Sequence, residues 1–100
     1  MDAIQYALKE NESQKKYYFE IEEHVAFIEY IKAQGNIYLT HTEVPKELEG
    51  RGIASNLVLK VLEEIDQNEW RLIPLCPFVA TYIKRHPEWK KLVYRGINID

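Results

Sequence analysis

The stretch "EGRGIASNLVLKVLEEIDQNE", Glu49–Glu69, decides the fold class. Ile53, Leu57, Val58, Val61, Leu62 and Ile65 recur at helical spacing, while Lys60, Glu63, Glu64 and Gln67 fall largely elsewhere. That pattern predicts an amphipathic helix beginning near Gly52. Its flanks read differently: "IYLTHTEVP" before it and "WRLIPLC" after it both have strand character. Strand, helix and strand in that order favour parallel pairing of the two strands through a right-handed crossover. Further upstream, "KKYYFEIEE" puts Tyr17, Phe19 and Ile21 on one face and Tyr18, Glu20 and Glu22 on the other. "HVAFIEYIKA" is rich in strand formers, and "QGN" supplies a turn after it. "IQYALKE" is another short strand candidate, followed by the turn-rich "NESQ". Connections this short imply an antiparallel meander. Downstream, "PFVATYIKRH" reads as a second helix. The expectation is an α+β (mixed α/β) fold, mostly antiparallel, with one parallel pair and two main helices.

One hundred residues suit a single domain spanning 1–100, with one core. A hydrophobic fraction of 46% and 12% aromatics exclude a disordered chain. The formal net charge of −3 favours no broad capture of nucleic acid or of an anionic membrane. A lone cysteine forms no internal disulfide, so the fold needs no oxidising compartment. The N-terminus lacks a basic start followed by an apolar run, and no apolar stretch approaches membrane-spanning length. A soluble cytoplasmic protein is the expectation.

Two places carry chemistry. In "HTEVPKELEGRGIASNLV", Gly50, Gly52 and Ala54 surround the start of the long helix. Small residues there let backbone N–H groups approach a ligand, the helix terminus adds partial positive charge, and Arg51 adds a full one. An anion such as a phosphate or pyrophosphate suits such a turn. Glycines before a helix also serve simply to turn the chain. Neither the Walker pattern nor the dinucleotide fingerprint is present. The second place is "RLIPLCPFVATYIKRHPEW", which holds Cys76 between Pro74 and Pro77. Pro77 disfavours helical dihedrals at Cys76 and is well placed as a first helical residue. The thiol then sits beside a helix N-terminus, a setting that favours the thiolate, although most free cysteines are small buried hydrophobes. Read with strict alternation, Ile37, Leu39, His41 and Glu43 share one strand face that turns polar toward the glycine turn. His41 could act there as a base and Glu43 as a base through a water, or His41 could be a hydrogen-bonded residue at the core edge.

"EGRGIA" is similar to the pyrophosphate arm of the GNAT N-acetyltransferases. With "HTEVP" before it and "LCPFVATYIKRHPEW" after it, the chain resembles the short GNAT-like subfamily that carries an active-site cysteine, over roughly residues 15–94. The resemblance implies a minimal GNAT-like fold that binds acetyl-coenzyme A (acetyl-CoA). It implies that Gly50, Arg51, Gly52, Ile53 and Ala54 hold the pyrophosphate. It also implies that the "THTEV" strand, ending at Val44, splays from its parallel neighbour and offers the pantetheine arm backbone partners. Cys76 would face the acetyl group. Tyr82 stands at a position similar to the tyrosine that protonates the departing thiolate in many GNAT enzymes, although the stripe Phe78, Val79, Tyr82 and Ile83 also reads as core. Glu49 departs from the family's preference for glutamine or arginine.

The resulting expectation is transfer of an acetyl group to an unknown amine, small molecule or protein, either directly or through an acetyl-cysteine. No metal site is expected. Two other classes stand beside it: a non-catalytic acyl-CoA sensor acting through a protein partner, and a small interaction module without a ligand.

Overall fold

A computed structural model of the chain describes residues 6–97. Five strands follow one another across the sheet in chain order: β1 (Lys9–Asn11), β2 (Lys16–Ile21), β3 (His24–Ala33), β4 (Asn36–Glu43) and β5 (Arg71–Pro74). The first four pair antiparallel, and β4 pairs with β5 in parallel. The crossover between that pair is α1 (Ile53–Gln67), preceded by a 3-10 turn at Lys46–Leu48. Helix α2 (Pro77–Arg85) follows β5, and a second 3-10 segment spans Pro87–Leu92. The expected α+β class and the single parallel pair are both present.

The β2–β3 hairpin turns on Glu22 and Glu23, with φ of 52° and 69°. Two successive residues in that region match the right-handed twist of a tight hairpin, although glycine or asparagine is the usual occupant. The β3–β4 hairpin uses Gln34 and Gly35 in the same way, at 53° and 81°. The first strand differs from expectation. Pairing begins at Lys9, opposite Tyr18, while Ile4 and Gln5 lie outside the described residues. Tyr6 and Leu8 pack against the core instead, with the Tyr6 ring 5.3 Å from that of Phe19.

One face of the sheet is covered. Tyr17, Phe19 and Ile21 of β2 are buried with Ala26, Ile28 and Tyr30 of β3. The six α1 residues picked out by helical spacing are its buried residues. Val79 and Ile83 of α2 complete the same core, so both helices lie on this face. At about 1.5–3 kcal/mol per fully buried aliphatic or aromatic side chain, this one layer supplies the main folding drive. Among the described residues, no helix is long and apolar enough to cross a membrane.

Candidate active site

Strand β4 brings the site together because its alternation breaks once. Glu29 pairs with His41 and the next β3 residue, Tyr30, pairs with Leu39. Thr40 is therefore an extra residue on β4, a β-bulge, and its Oγ1 donates to the Glu29 carbonyl at 3.2 Å. Beyond the bulge the faces exchange. Thr42 lies opposite buried Ile28, on the core side, while His41 and Glu43 lie opposite Glu29 and Phe27 on the outer side. The expected single face of Ile37, Leu39, His41 and Glu43 is thus corrected, because a period of two does not survive an inserted residue. His41 Nε2 stands 3.2 Å from Glu43 Oε1, both exposed, and the His41 ring is 6.2 Å from the Phe27 ring.

The parallel ladder stops where the bulge begins. Its last pair is Leu39 with Pro74, and the Cys76 N–H then donates to the Leu39 carbonyl at 2.9 Å. From Thr40 to Glu43, β4 has a strand partner only on the β3 side among the described residues. Cys76 is the N-cap of α2, extended at φ −72° and ψ 124°, with Pro77 opening the helix. Its side chain is 5% exposed, and Sγ lies 3.2 Å from Thr42 Oγ1.

Between these elements and α1 runs a groove of about 410 Å³. Val44, Gly50, Gly52, Ile53 and Ala54 line it, as does Glu49. Gly50 and Gly52 have φ of 80° and 71°, and a Cβ on either would meet no atom within 4 Å. Glycine adopts this left-handed backbone without strain at both positions, and the space in front stays open. The Asn56 N–H donates to the Gly52 carbonyl at 3.1 Å as α1 begins. The N–H groups of Ile53, Ala54 and Ser55 therefore point out of the helix end.

Arg51 behaves otherwise. Its guanidinium turns to Glu22 on the β2–β3 hairpin, with Nη2 2.9 Å and Nη1 3.3 Å from the two carboxylate oxygens. Arg51 beside Glu22 holds that carboxyl below the usual carboxylate range. Tyr82 lies apart from Thr42 and Cys76, along α2. Its ring stacks on His86 with centroids 4.2 Å apart, and burial pushes its phenol up. It lines a smaller hollow with Ser55, Phe78 and Arg85 that shares Ser55 and Phe78 with the groove.

A sequence profile of the GCN5-related N-acetyl-transferase family matches residues 16–92, which takes in the groove, the glycine turn and Cys76. The chain belongs to this family. It is also similar to protein NATD1 of Xenopus tropicalis, 30% identical over 63 residues, a stretch that makes up 63% of this chain and 57% of the frog protein. The fold is similar to the NMR structure of a GCN5-like protein from Staphylococcus aureus. The two share a TM-score of 0.70 and 24% identity over 94% of this chain and 92% of that one.

In this family member the structure gathers Val44, Gly50, Gly52, Ile53 and Ala54 around one groove and brings Thr42 against Cys76. It does not bring Arg51, His41, Glu43 or Tyr82 onto the groove wall. Sequence reasoning missed Thr42, Leu48, Ser55 and Phe78, all of which line the groove. Phe78 belongs to the expected core stripe of α2 but is 41% exposed, while Val79 and Ile83 are buried. The inserted residue that turns Thr42 inward leaves no periodic signal. Ser55, one residue beyond "EGRGIA", was the most accessible of the four to sequence reading.

Proposed function

We propose that the groove binds acetyl-CoA and that the protein transfers the acetyl group to an amine. The observation that carries this reading is the turn from Glu49 to Ala54. Two left-handed glycines and an open helix end present backbone N–H groups to a groove that also reaches Thr42, the neighbour of Cys76. Such a surface fits an anionic pyrophosphate without needing a lining cation. Membership of the N-acetyltransferase family supports the same assignment. Bound there, acetyl-CoA supplies an activated thioester.

The chain's own part is positioning and proton handling. The N–H groups at the head of α1 hold the phosphates, and β4 beyond Leu39 offers free backbone groups toward the parting from β5. In direct transfer, an amine forms the new C–N bond, the C–S bond breaks, and the amine proton passes to a base. His41 or Glu43 serves as that base for an acceptor that approaches from the outer face of the sheet. In the two-step route, Cys76 Sγ, held by Thr42 Oγ1, forms a C–S bond to the acetyl carbon as the CoA C–S bond breaks and the thiol proton passes to the departing CoA thiolate. The amine then forms the C–N bond as the acetyl-cysteine C–S bond breaks, and its proton returns to Sγ. A second reading, an acyl-CoA sensor without turnover, is favoured by one observation: Cys76 is buried while His41 and Glu43 face away from the groove.

Intact-protein mass after incubation with acetyl-CoA, followed by CoA release with a panel of amines, tests these readings together. The two-step route expects one added acetyl on the wild type and none on Cys76→Ala. Direct transfer expects release of CoA without an adduct. His41→Gln then lowers turnover about a hundredfold or more, with CoA affinity held within about threefold. Binding with neither adduct nor release supports the sensor. Failure to bind CoA at all overturns the proposal.

A further inference from the structure

Among the described residues, the groove that would take a pyrophosphate is lined by no lysine, arginine or histidine and by one carboxylate, Glu49. Arg51 lies between two residues of the wall, Gly50 and Gly52, while Arg85 and Lys60 line hollows that adjoin the groove at Ser55. The Arg51 side chain is held away by both oxygens of Glu22. We propose that Glu22 sets the affinity of this groove by competing with a bound diphosphate for the Arg51 guanidinium. The inference rests on the acetyl-CoA reading above.

Three features support a competition rather than a fixed staple. The pair is exposed, with side chains 37% and 65% accessible, so water and ions reach it and its hold is weak. A diphosphate offers more charge and the same two-oxygen geometry to a guanidinium fork. Glu22 also sits at the hairpin tip with φ of 52°, a conformation that L residues adopt at some cost, so nothing in the backbone demands glutamate there. The hairpin touches the groove loop a second time, where His24 Nδ1 lies 3.9 Å from Glu47 Oε1, one residue before the groove-lining Leu48. Glu22 acts through Arg51 and is a positioning residue, not a catalytic one.

Calorimetry at low ionic strength tests this with two probes, CoA and acetyl-pantetheine, which lacks the phosphates. Glu22→Gln should bind CoA about twofold to fivefold tighter than wild type, and Arg51→Gln should bind it more weakly. The double variant should match Arg51→Gln alone, and acetyl-pantetheine should not distinguish Glu22→Gln from wild type. Glu22→Gly, which suits the positive φ, should repeat the Glu22→Gln result and guards against a folding artefact. Equal CoA affinity in wild type and Glu22→Gln overturns the inference and leaves the groove reading standing. So does tightening that persists without Arg51, since Glu22 would then act as a bare negative charge, or that extends to acetyl-pantetheine, which has no phosphate for Arg51 to hold. Wild-type protein that takes up acetyl-pantetheine but gains nothing from the phosphates also counts against it. Wild-type protein that binds neither probe removes the groove reading, and the inference falls with it.

Discussion

The two ends of α1 carry hollows built on opposite lines. At its tail a hollow of about 550 Å³ is lined by side-chain charges, among them Asp66, Arg71 and Lys91, with Trp70 as a wall. Lys91 and Asp66 pair at 3.4 Å, and the helix ends there on carbonyl groups, one of which takes the Asn68 amide at 2.8 Å. At its head the smaller groove of about 410 Å³ has almost no side-chain charge but is faced by backbone N–H groups. The tail pairs Lys91 with Asp66 and presents the negative end of the dipole, while the head keeps donors directed outward. Size alone favours the tail, whereas the direction of the helix favours the head, where CoA binding is proposed.

The two hollows nevertheless hang from one core, and the largest expected effect probes that. Leu57 is fully buried beneath the head. Leu57→Ala should cost about 2–5 kcal/mol. In urea, loss of CoA binding at the head and the change in Trp fluorescence, to which Trp70 at the tail contributes, should follow one transition. Separate midpoints would show that the ends are independent units.

Next in size is a change confined to the head. Gly52→Val puts a branched side chain into open space on the groove wall and at a φ of 71° that valine resists. CoA binding should weaken about tenfold or more, ~1.4 kcal/mol, in a protein whose circular dichroism remains that of the wild type. Unchanged affinity would remove the turn from the site. The smallest effect belongs to the tail. Lys91→Ala breaks an exposed pair, so it should leave CoA affinity within about twofold and the melting temperature nearly unmoved. A tail variant that matched Gly52→Val in its loss would erase the contrast.

What the sequence disclosed follows the same division between backbone and side chain. The α1 stripe and the faces of β2 were legible because burying one face imposes a period. The glycine turn was legible because only glycine accepts that backbone without cost. Features that depend on partners distant in the chain were not. Glu22 reaches Arg51 across 29 positions, and neither residue signals the other. The bulge was equally silent, since Thr40 looks like any strand residue. Strict alternation read through it put His41 and Glu43 on the wrong face and hid Thr42. The first strand was misplaced because an edge of three paired residues is too short to set a period.

That single inserted residue has an evolutionary consequence. Removing Thr40 from the chain would restore a regular ladder without carrying any side chain across the sheet: Leu39 would still oppose Tyr30, His41 would still oppose Glu29, and Thr42 would still oppose Ile28. Only the bend would vanish, while β5 would still end at Pro74 and α2 would still open at Pro77. A regular β4 and a bent one are then separated by one codon. A Thr40 deletion that folds but no longer binds CoA would reproduce that step in reverse.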